Sequence, residues 1–128
     1  LIEDPNFYCV LEDESQYDTC GIGCWNVRGL RTHLDEVHQT LVSSRLRLHL
    51  LGVVETHLKE RDLGPRVPGW DFIGKNRSSE DSDGRRARGG IGLFVRRNSG
   101  IQVKPAVVPE EYNTQDTMWL NVSVTDPK

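Results

Sequence analysis

Two polar side chains stand where predicted strands end, and they are the residues best suited to chemistry. Glu55 directly follows the apolar run 50–54, a pattern typical of a strand buried on both faces. An ionised carboxylate at that place is costly unless a partner compensates its charge. Asn26 ends a short predicted strand that starts at Gly21. A carboxylate beside an amide oxygen suits Mg²⁺, because this ion binds one or two carboxylates and keeps several waters.

Other roles for these residues stay open from spacing alone. Glu55 could act as a general acid or base, or it could cap a loop or pair with Arg28. His57 could position a phosphate, or it could be an ordinary half-buried histidine with one hydrogen bond. The other three histidines fall on a predicted helix without metal-ligand spacing, so we expect them to be structural.

Three widespread catalytic or nucleotide-binding motifs are absent or out of context. The sequence contains neither a Gly-x-Ser-x-Gly nucleophile motif nor the phosphate loop Gly-x4-Gly-Lys-Ser/Thr. The glycines at 89, 90 and 92 do not follow a strand and open a helix, so they are not a dinucleotide fingerprint.

The elements around the two polar residues predict a strand, a helix and a second strand. An apolar stripe at helical spacing predicts an amphipathic helix of about four turns between the strands. Thr32 and Asp35 offer a capping box for its start. A right-handed crossover would lay the two strands parallel, with Asn26 and Glu55 at corresponding ends. The stripe consists of Leu30, Leu34, Val37, Leu41 and Leu48.

Further strands are predicted in the second half of the chain. One lies around 70–73, and two more, within 89–97 and 101–108, are joined by a turn in which Asn98 and Gly100 suit positive backbone angles. Alternating apolar residues over 118–124 predict a half-buried strand. The polar segment 76–90 is the one part of the chain that we expect to be a mobile loop.

Charge is distributed unevenly over the 128 residues. Residues 1–20 contain six acidic residues and no Lys or Arg, so we interpret them as a poorly ordered acidic extension of a domain spanning 21–128. Residues 75–97 contain seven basic residues and three acidic ones. Such a segment could follow a nucleic-acid backbone or could be a solvated loop. The candidate backbone contacts are Arg85, Arg86 and Arg88.

Other features bear on the compartment. No run of 18 apolar residues and no cationic leader with an apolar segment is visible. The three cysteines match no zinc or disulfide spacing, which favours free thiols. We therefore expect an intracellular protein, with the nucleus as one candidate compartment, that is neither secreted nor inserted in a membrane.

Four segments in order resemble the N-terminal half of an endonuclease/exonuclease/phosphatase superfamily domain, in particular the apurinic-endonuclease-like domain of non-LTR retrotransposons. They are "CWNVRGL" (24–30), "LGVVETHL" (51–58), "GGIGLFVRR" (89–97) and "MWLNVSV" (118–124). The resemblance implies part of a four-layered α/β sandwich with mixed sheets and a phosphodiesterase that uses Mg²⁺ or Mn²⁺ to cut DNA. It implies that Glu55 ligates the metal and that Asn26 helps to organise the metal and phosphate site. It gives Gly89 and Gly90 a backbone role at the start of an inner strand.

The chain also departs from that family. The Gly-Asp-x-Asn strand end and the Ser-Asp-His motif of the second half are absent, and Asp4-Pro5-Asn6 lies upstream of the first strand, in the wrong place. We therefore expect an N-terminal fragment that is inactive or very weak alone, with one apolar sheet face exposed. The alternatives are a phosphatase of the same fold and a non-catalytic remnant that binds a partner.

Overall fold

The computed structural model describes residues 8–9, 20–78 and 89–124. These residues form a mixed α/β fold with a mixed five-stranded sheet and a separate two-stranded sheet. The elements in chain order are β1 (Tyr8–Cys9), β2 (Gly21–Asn26), α1 (Leu34–Leu41), β3 (Leu48–Val54), β4 (Trp70–Lys75), β5 (Ile91–Arg96), β6 (Ile101–Pro105), a 3₁₀ turn (Glu110–Tyr112) and β7 (Leu120–Val124).

The five-stranded sheet has the order β1-β2-β3-β5-β4. β2 and β3 are parallel, as the predicted crossover requires, and the other three pairings are antiparallel. Asn26 is opposite Val54, Val54 is opposite Ile91, and Ile91 is opposite Lys75. We call these four residues the edge row. Since directly opposed residues point to the same face of a sheet, all four side chains lie on one face. The row crosses the sheet at the edge formed by the carboxyl ends of β2 and β3.

The core lies between α1 and one face of this sheet. Leu51 and Phe94 are opposed on neighbouring strands and fully buried, and Val37 and Leu41 of α1 pack in the same cluster. The rest of the cluster comes from the strands and from the turns beside them. Its further members are Val27, Leu30, Leu46, Leu48, Val53, Leu58, Val67 and Trp70.

The helix is shorter than the apolar stripe predicts. It spans Leu34–Leu41, and His33 at its N-cap makes no side-chain capping bond, so the predicted capping box from Thr32 was wrong. The chain leaves the helix at Val42, which precedes two serines, and these residue types favour helices weakly. Leu48 is buried, but it lies in β3. The stripe therefore combined core residues from a helix and a strand.

The second half of the chain forms the predicted strands, but the two strands that the turn joins do not pair with each other. β5 and β6 are joined by the predicted turn, and Asn98 and Gly100 adopt positive φ angles of 57° and 79°. β6 pairs with β7 and not with β5. β7 is more exposed than the predicted half-buried strand, since Val122 and Val124 are 47% and 66% exposed. Apolar side chains thus remain uncovered on this small sheet.

Residues at the beginning of the chain take part in the sheet. Tyr8 and Cys9 pair with Cys24 and Gly23 of β2, and residues 1–7 and 10–19 of the predicted acidic extension lie outside the described residues. Cys20 and Cys24 are free thiols in the described part of the chain. Burial raises the pKa of the Cys20 thiol. No helix in the described part of the chain is long and apolar enough to cross a bilayer.

The connection from β3 to β4 is held by Asp62. Its carboxylate accepts hydrogen bonds from Arg31 Nε and Nη2 at 3.1 and 2.7 Å and from the Gly64 N–H at 2.9 Å. Its carbonyl accepts one from Asn76 Nδ2 at 2.7 Å. The hydrogen bond from Arg31, followed by that from Gly64, lowers the pKa of Asp62.

This lowered pKa predicts a small pH dependence of stability. The ionised Asp62 stabilises the fold above its unfolded pKa of about 3.9, and the contribution is lost as the pH falls through the lower folded pKa. We expect Asp62→Asn to cost less than about 1 kcal/mol at neutral pH because the pair is close to solvent. Urea unfolding should show this difference shrinking as the pH falls below the unfolded pKa of about 3.9. A difference that stays constant with pH would contradict the prediction.

Candidate functional site

The structure brings together the two residues that the sequence places at strand ends. Asn26 ends β2, and Glu55 directly follows β3, the parallel neighbour of β2. Asn26 Nδ2 donates a short hydrogen bond to Glu55 Oε2. The Asn26 amide oxygen accepts a hydrogen bond from the Arg28 backbone N–H at 3.2 Å. Both ends of the amide are therefore engaged, and the amide orients the carboxylate.

His57 lies on the other side of the same carboxylate. Its Nε2 is 3.6 Å from Glu55 Oε1, and the side chains are 32% and 46% exposed respectively. Within the described residues the carboxylate contacts Asn26 and His57 and does not pair with Arg28. Glu55 is thus oriented by protein groups and still accessible from solvent, which a binding or catalytic carboxylate requires.

The sheet hydrogen bonding continues past the strand ends and anchors the site. Gly29 N–H donates to the Glu55 carbonyl at 2.8 Å, and Leu30 N–H donates to the Thr56 carbonyl at 2.8 Å. On the other side, Thr56 N–H donates to the Gly90 carbonyl at 3.1 Å. Segments on both sides therefore fix the chain directly after β3.

This segment has a strained backbone. Glu55 and His57 adopt left-handed φ angles of 54° and 56°, and Arg28 opposite them has a φ angle of 50°. Such conformations cost about 1–3 kcal/mol each for non-glycine residues and cluster at functional sites. Thr56 between them is 1% exposed. The alternation leaves the Glu55 and His57 side chains accessible and buries the one between them.

Gly89 and Gly90 supply backbone groups to the site, the role that the resemblance implies. The Gly89 carbonyl accepts a hydrogen bond from the His57 N–H at 2.8 Å. Gly90 has a φ angle of +88°, and a Cβ built on it would lie 2.4 Å from Thr56 Oγ1. This buried hydroxyl has no hydrogen-bond partner in the described part of the chain. Glycine at position 90 therefore satisfies both a backbone and a packing requirement.

An arginine that the sequence did not single out lies next to these glycines. Arg77 Nε and Nη2 donate to the Asp116 carboxylate at 2.8 to 3.1 Å. A Cβ built on Gly89 would lie 2.5 Å from Arg77 Nε, so the guanidinium packs directly on that glycine. The two partners are 39 residues apart in the chain, and no spacing pattern predicts their contact.

A lysine of the edge row anchors the loop that carries Asp116. Lys75 Nζ donates to the carbonyls of Thr114 and Thr117 at 2.6 and 3.0 Å, and to Asn113 Oδ1 at 2.8 Å. These acceptors lie on both sides of Asp116 in the chain. The loop is thereby tied to the same sheet edge as Asn26.

Two of the three histidines outside the site have structural contacts, and His49 lies in β3, so its predicted place on the helix was wrong. His49 Nδ1 accepts a hydrogen bond from the Gly21 N–H at 2.9 Å, and His33 Nδ1 lies 3.0 Å from the Gly29 carbonyl. The arginines proposed to contact nucleic acid, Arg85, Arg86 and Arg88, lie outside the described residues.

The Glu55 carboxylate suits weak binding of a hard divalent cation that prefers oxygen ligands. The described residues contain no group of three or more His, Cys, Asp and Glu side chains that could enclose a metal. Mg²⁺ needs no such group, because one or two carboxylates and several waters suffice. Glu55 offers one oriented, half-exposed carboxylate, so the residues fit Mg²⁺ or Mn²⁺ as a direct contact through Glu55 alone. Comparison of the chain with models of protein families, with curated proteins and with solved structures found no match.

Proposed function

We propose that the chain is the N-terminal part of a phosphodiester hydrolase domain that uses Mg²⁺ or Mn²⁺ and acts on DNA. The observation that supports it most is the contact between Asn26 and Glu55 at the carboxyl ends of two parallel strands, where α/β sheets bind ligands. The mixed sheet, with α1 on one face and apolar side chains uncovered on β7, is compatible with part of a four-layered sandwich.

Each residue has a distinct role in this proposal. Glu55 holds the metal ion, and Asn26 holds the Glu55 carboxylate in place through its amide nitrogen. A direct metal contact from the Asn26 oxygen remains a prediction, since that oxygen accepts the Arg28 N–H here. His57 presents an imidazole at the same carboxylate and could donate a hydrogen bond to a phosphate oxygen. The metal, when bound, would polarise the phosphate and stabilise developing charge.

Turnover by these residues alone should be weak. In-line attack on a phosphodiester needs an aligned water, and precise positioning accounts for a large share of such catalysis. The Gly-Asp-x-Asn and Ser-Asp-His motifs that the resemblance assigns to this task are not in the sequence. The second candidate function is nucleic-acid binding without cleavage, which the seven basic residues of the segment 75–97 favour.

Metal binding tests the proposal directly. We expect Glu55→Gln to weaken Mn²⁺ binding at least about tenfold, because it removes the charged ligand and keeps the shape of the side chain. Asn26→Ala should weaken it less, since the carboxylate stays but loses its orienting amide. Mn²⁺ electron paramagnetic resonance titration measures both values.

The control for the metal experiment is Glu36→Gln, the same substitution at an exposed glutamate in the first turn of α1. Its Mn²⁺ affinity should equal that of the wild type. Equal affinities for the Glu55→Gln variant and the wild type would contradict the proposal. A plasmid-nicking assay with Mg²⁺ would separate the two candidate functions, because only a hydrolase gives nicks that Glu55→Gln abolishes.

A further inference from the structure

We propose that Arg77, oriented by Asp116, binds a phosphate of the nucleic-acid backbone beside the Glu55 site. The inference rests on the proposed function for its choice of ligand, which is a phosphodiester chain. Arginine suits this ligand because its planar guanidinium carries five N–H donors, so it can hold a carboxylate on one edge and still donate to a phosphate oxygen on another. Contacts of this kind position the protein on the nucleic acid without reading its sequence.

The first argument is location. Lys75 and Asn26 belong to the same edge row, and Arg77 follows Lys75 by two residues, beyond the same edge of the sheet. Its guanidinium packs on Gly89, whose carbonyl is bonded to the His57 N–H. Arg77 is therefore connected to the candidate site through one glycine and one hydrogen bond.

The second argument is the direction of the guanidinium. Among the described residues, its hydrogen bonds go to Asp116 and use Nε and Nη2. Both N–H donors of Nη1 remain for a ligand, and the side chain is 31% exposed. Because Gly89 has no side chain, the guanidinium lies close to the backbone that shapes the site.

The third argument is preorganisation of Asp116. Lys75 Nζ binds the carbonyls of Thr114 and Thr117, which flank Asp116 on both sides. The loop is further closed by the Thr117 hydroxyl, which donates to the Tyr112 carbonyl at 3.0 Å. An arginine held by a fixed carboxylate loses less conformational freedom on binding than one on a free surface.

A second arginine in the described residues provides a matched control. Arg97 Nε donates to Asp71 Oδ1 at 2.8 Å, and both side chains are 57% exposed. This pair lies beside Arg96 at the opposite end of β5, about 17 Å from Ile91 along the strand. Substitutions at the two pairs change the net charge equally, so a difference between them reports the position of the arginine.

The experiment measures binding of the full chain to a short fluorescein-labelled DNA duplex by fluorescence anisotropy in EDTA, over a range of salt concentrations. We expect Arg77→Gln to weaken binding roughly three- to tenfold and to lower the salt slope by about one. Arg97→Gln should change binding less than about twofold. Circular dichroism and thermal melting establish that each variant is folded, and Arg77→Lys, which keeps the charge but loses the bidentate geometry, provides a second readout with intermediate binding.

Asp116→Asn distinguishes an effect of net charge from an orienting role of Asp116, because the two predict opposite changes in DNA affinity. Removal of a negative charge should strengthen DNA binding if only net charge matters. If Asp116 orients Arg77, the same substitution should weaken binding roughly two- to threefold, whereas Asp71→Asn should not weaken it. Tighter binding by Asp116→Asn, equal losses for Arg77→Gln and Arg97→Gln, or no DNA binding by the wild type would overturn the inference.

These outcomes are independent of the proposed metal site. The binding assay contains EDTA, so it gives the same answer whether or not Glu55 binds Mn²⁺. A loss confined to Arg77→Gln, together with unchanged Mn²⁺ affinity in Glu55→Gln, would sustain the inference and overturn the hydrolase proposal. The reverse pair of results would overturn only the role of Arg77.

Discussion

Replacing Phe94 by alanine should lower the free energy of unfolding by about 3–5 kcal/mol, the range measured for buried phenylalanines. Phe94 is fully buried in β5 and lies opposite Leu51 in the core cluster. Its ring packs against that of Phe72, with a centroid distance of 4.9 Å. The substitution would leave a cavity between α1 and the centre of the sheet. Urea unfolding followed by circular dichroism measures the change.

The control for Phe94→Ala is Val124→Ala. Val124 lies on β7 and is 66% exposed, so its truncation should change the unfolding free energy by less than about 0.5 kcal/mol. A loss below about 1 kcal/mol for Phe94→Ala would mean that the described core does not hold the fold together.

The second large effect is expected from Gly90→Ala, at about 2–4 kcal/mol. An alanine at a φ angle of +88° costs about 1–2 kcal/mol in backbone strain. Its Cβ would also lie 2.4 Å from Thr56 Oγ1, which is buried and cannot move aside without repacking. Because Gly90 accepts the Thr56 N–H, we expect the site to lose order together with the fold. Urea unfolding gives the stability, and Mn²⁺ affinity reports the site.

Gly69→Ala separates the two costs of the Gly90 substitution. Gly69 has a φ angle of +84°, and a Cβ built there meets nothing within 4 Å. It should therefore show the backbone cost alone, about 1–2 kcal/mol. The double variant Thr56→Ala/Gly90→Ala should recover the steric part. Equal losses for Gly90→Ala and Gly69→Ala would show that the contact with Thr56 carries no energy.

The elements around the site could be predicted because they are regular. β2 and α1 have recognisable periods, β3 is a continuous apolar run, and a crossover through a helix makes the two strands parallel. This geometry is sufficient to place Asn26 beside the residue that follows β3. The contact between Asn26 and Glu55 follows from the position of each residue at the end of its strand, and it could therefore be predicted from the sequence.

The end of α1 and the pairing of β6 were not predictable in the same way. Leu48 lies seven residues after Leu41, a spacing that would place both on one face of a helix. Leu48 is instead the first residue of β3, and it is buried in the same core, so the sequence pattern could not separate the two elements. The turn after β5 is of the kind that joins the two strands of a hairpin. β6 nevertheless pairs with β7, because the choice of strand partner depends on tertiary packing and not on the turn alone.

The arginine beside the site depends on contacts between distant parts of the chain. Arg77 and Asp116 are brought together by the register of β4 against β5 and by the anchoring of the 113–117 loop on Lys75. Neither residue is part of a motif, and the sequence pattern around each is typical of an ordinary charged residue on the surface. The sequence placed Arg77 within the basic segment 75–97 but named only Arg85, Arg86 and Arg88 as candidate backbone contacts. Those three lie outside the described residues, so that part stays a prediction.

The position of β5 also sets an order for folding during synthesis. β2, α1 and β3 are contiguous and can assemble early, but β4 pairs with β5 alone among the described strands. A nascent chain that has not reached residue 91 therefore carries β3 with one open edge and β4 without a partner. Open strand edges recruit other chains, so we expect this interval to carry a risk of aggregation.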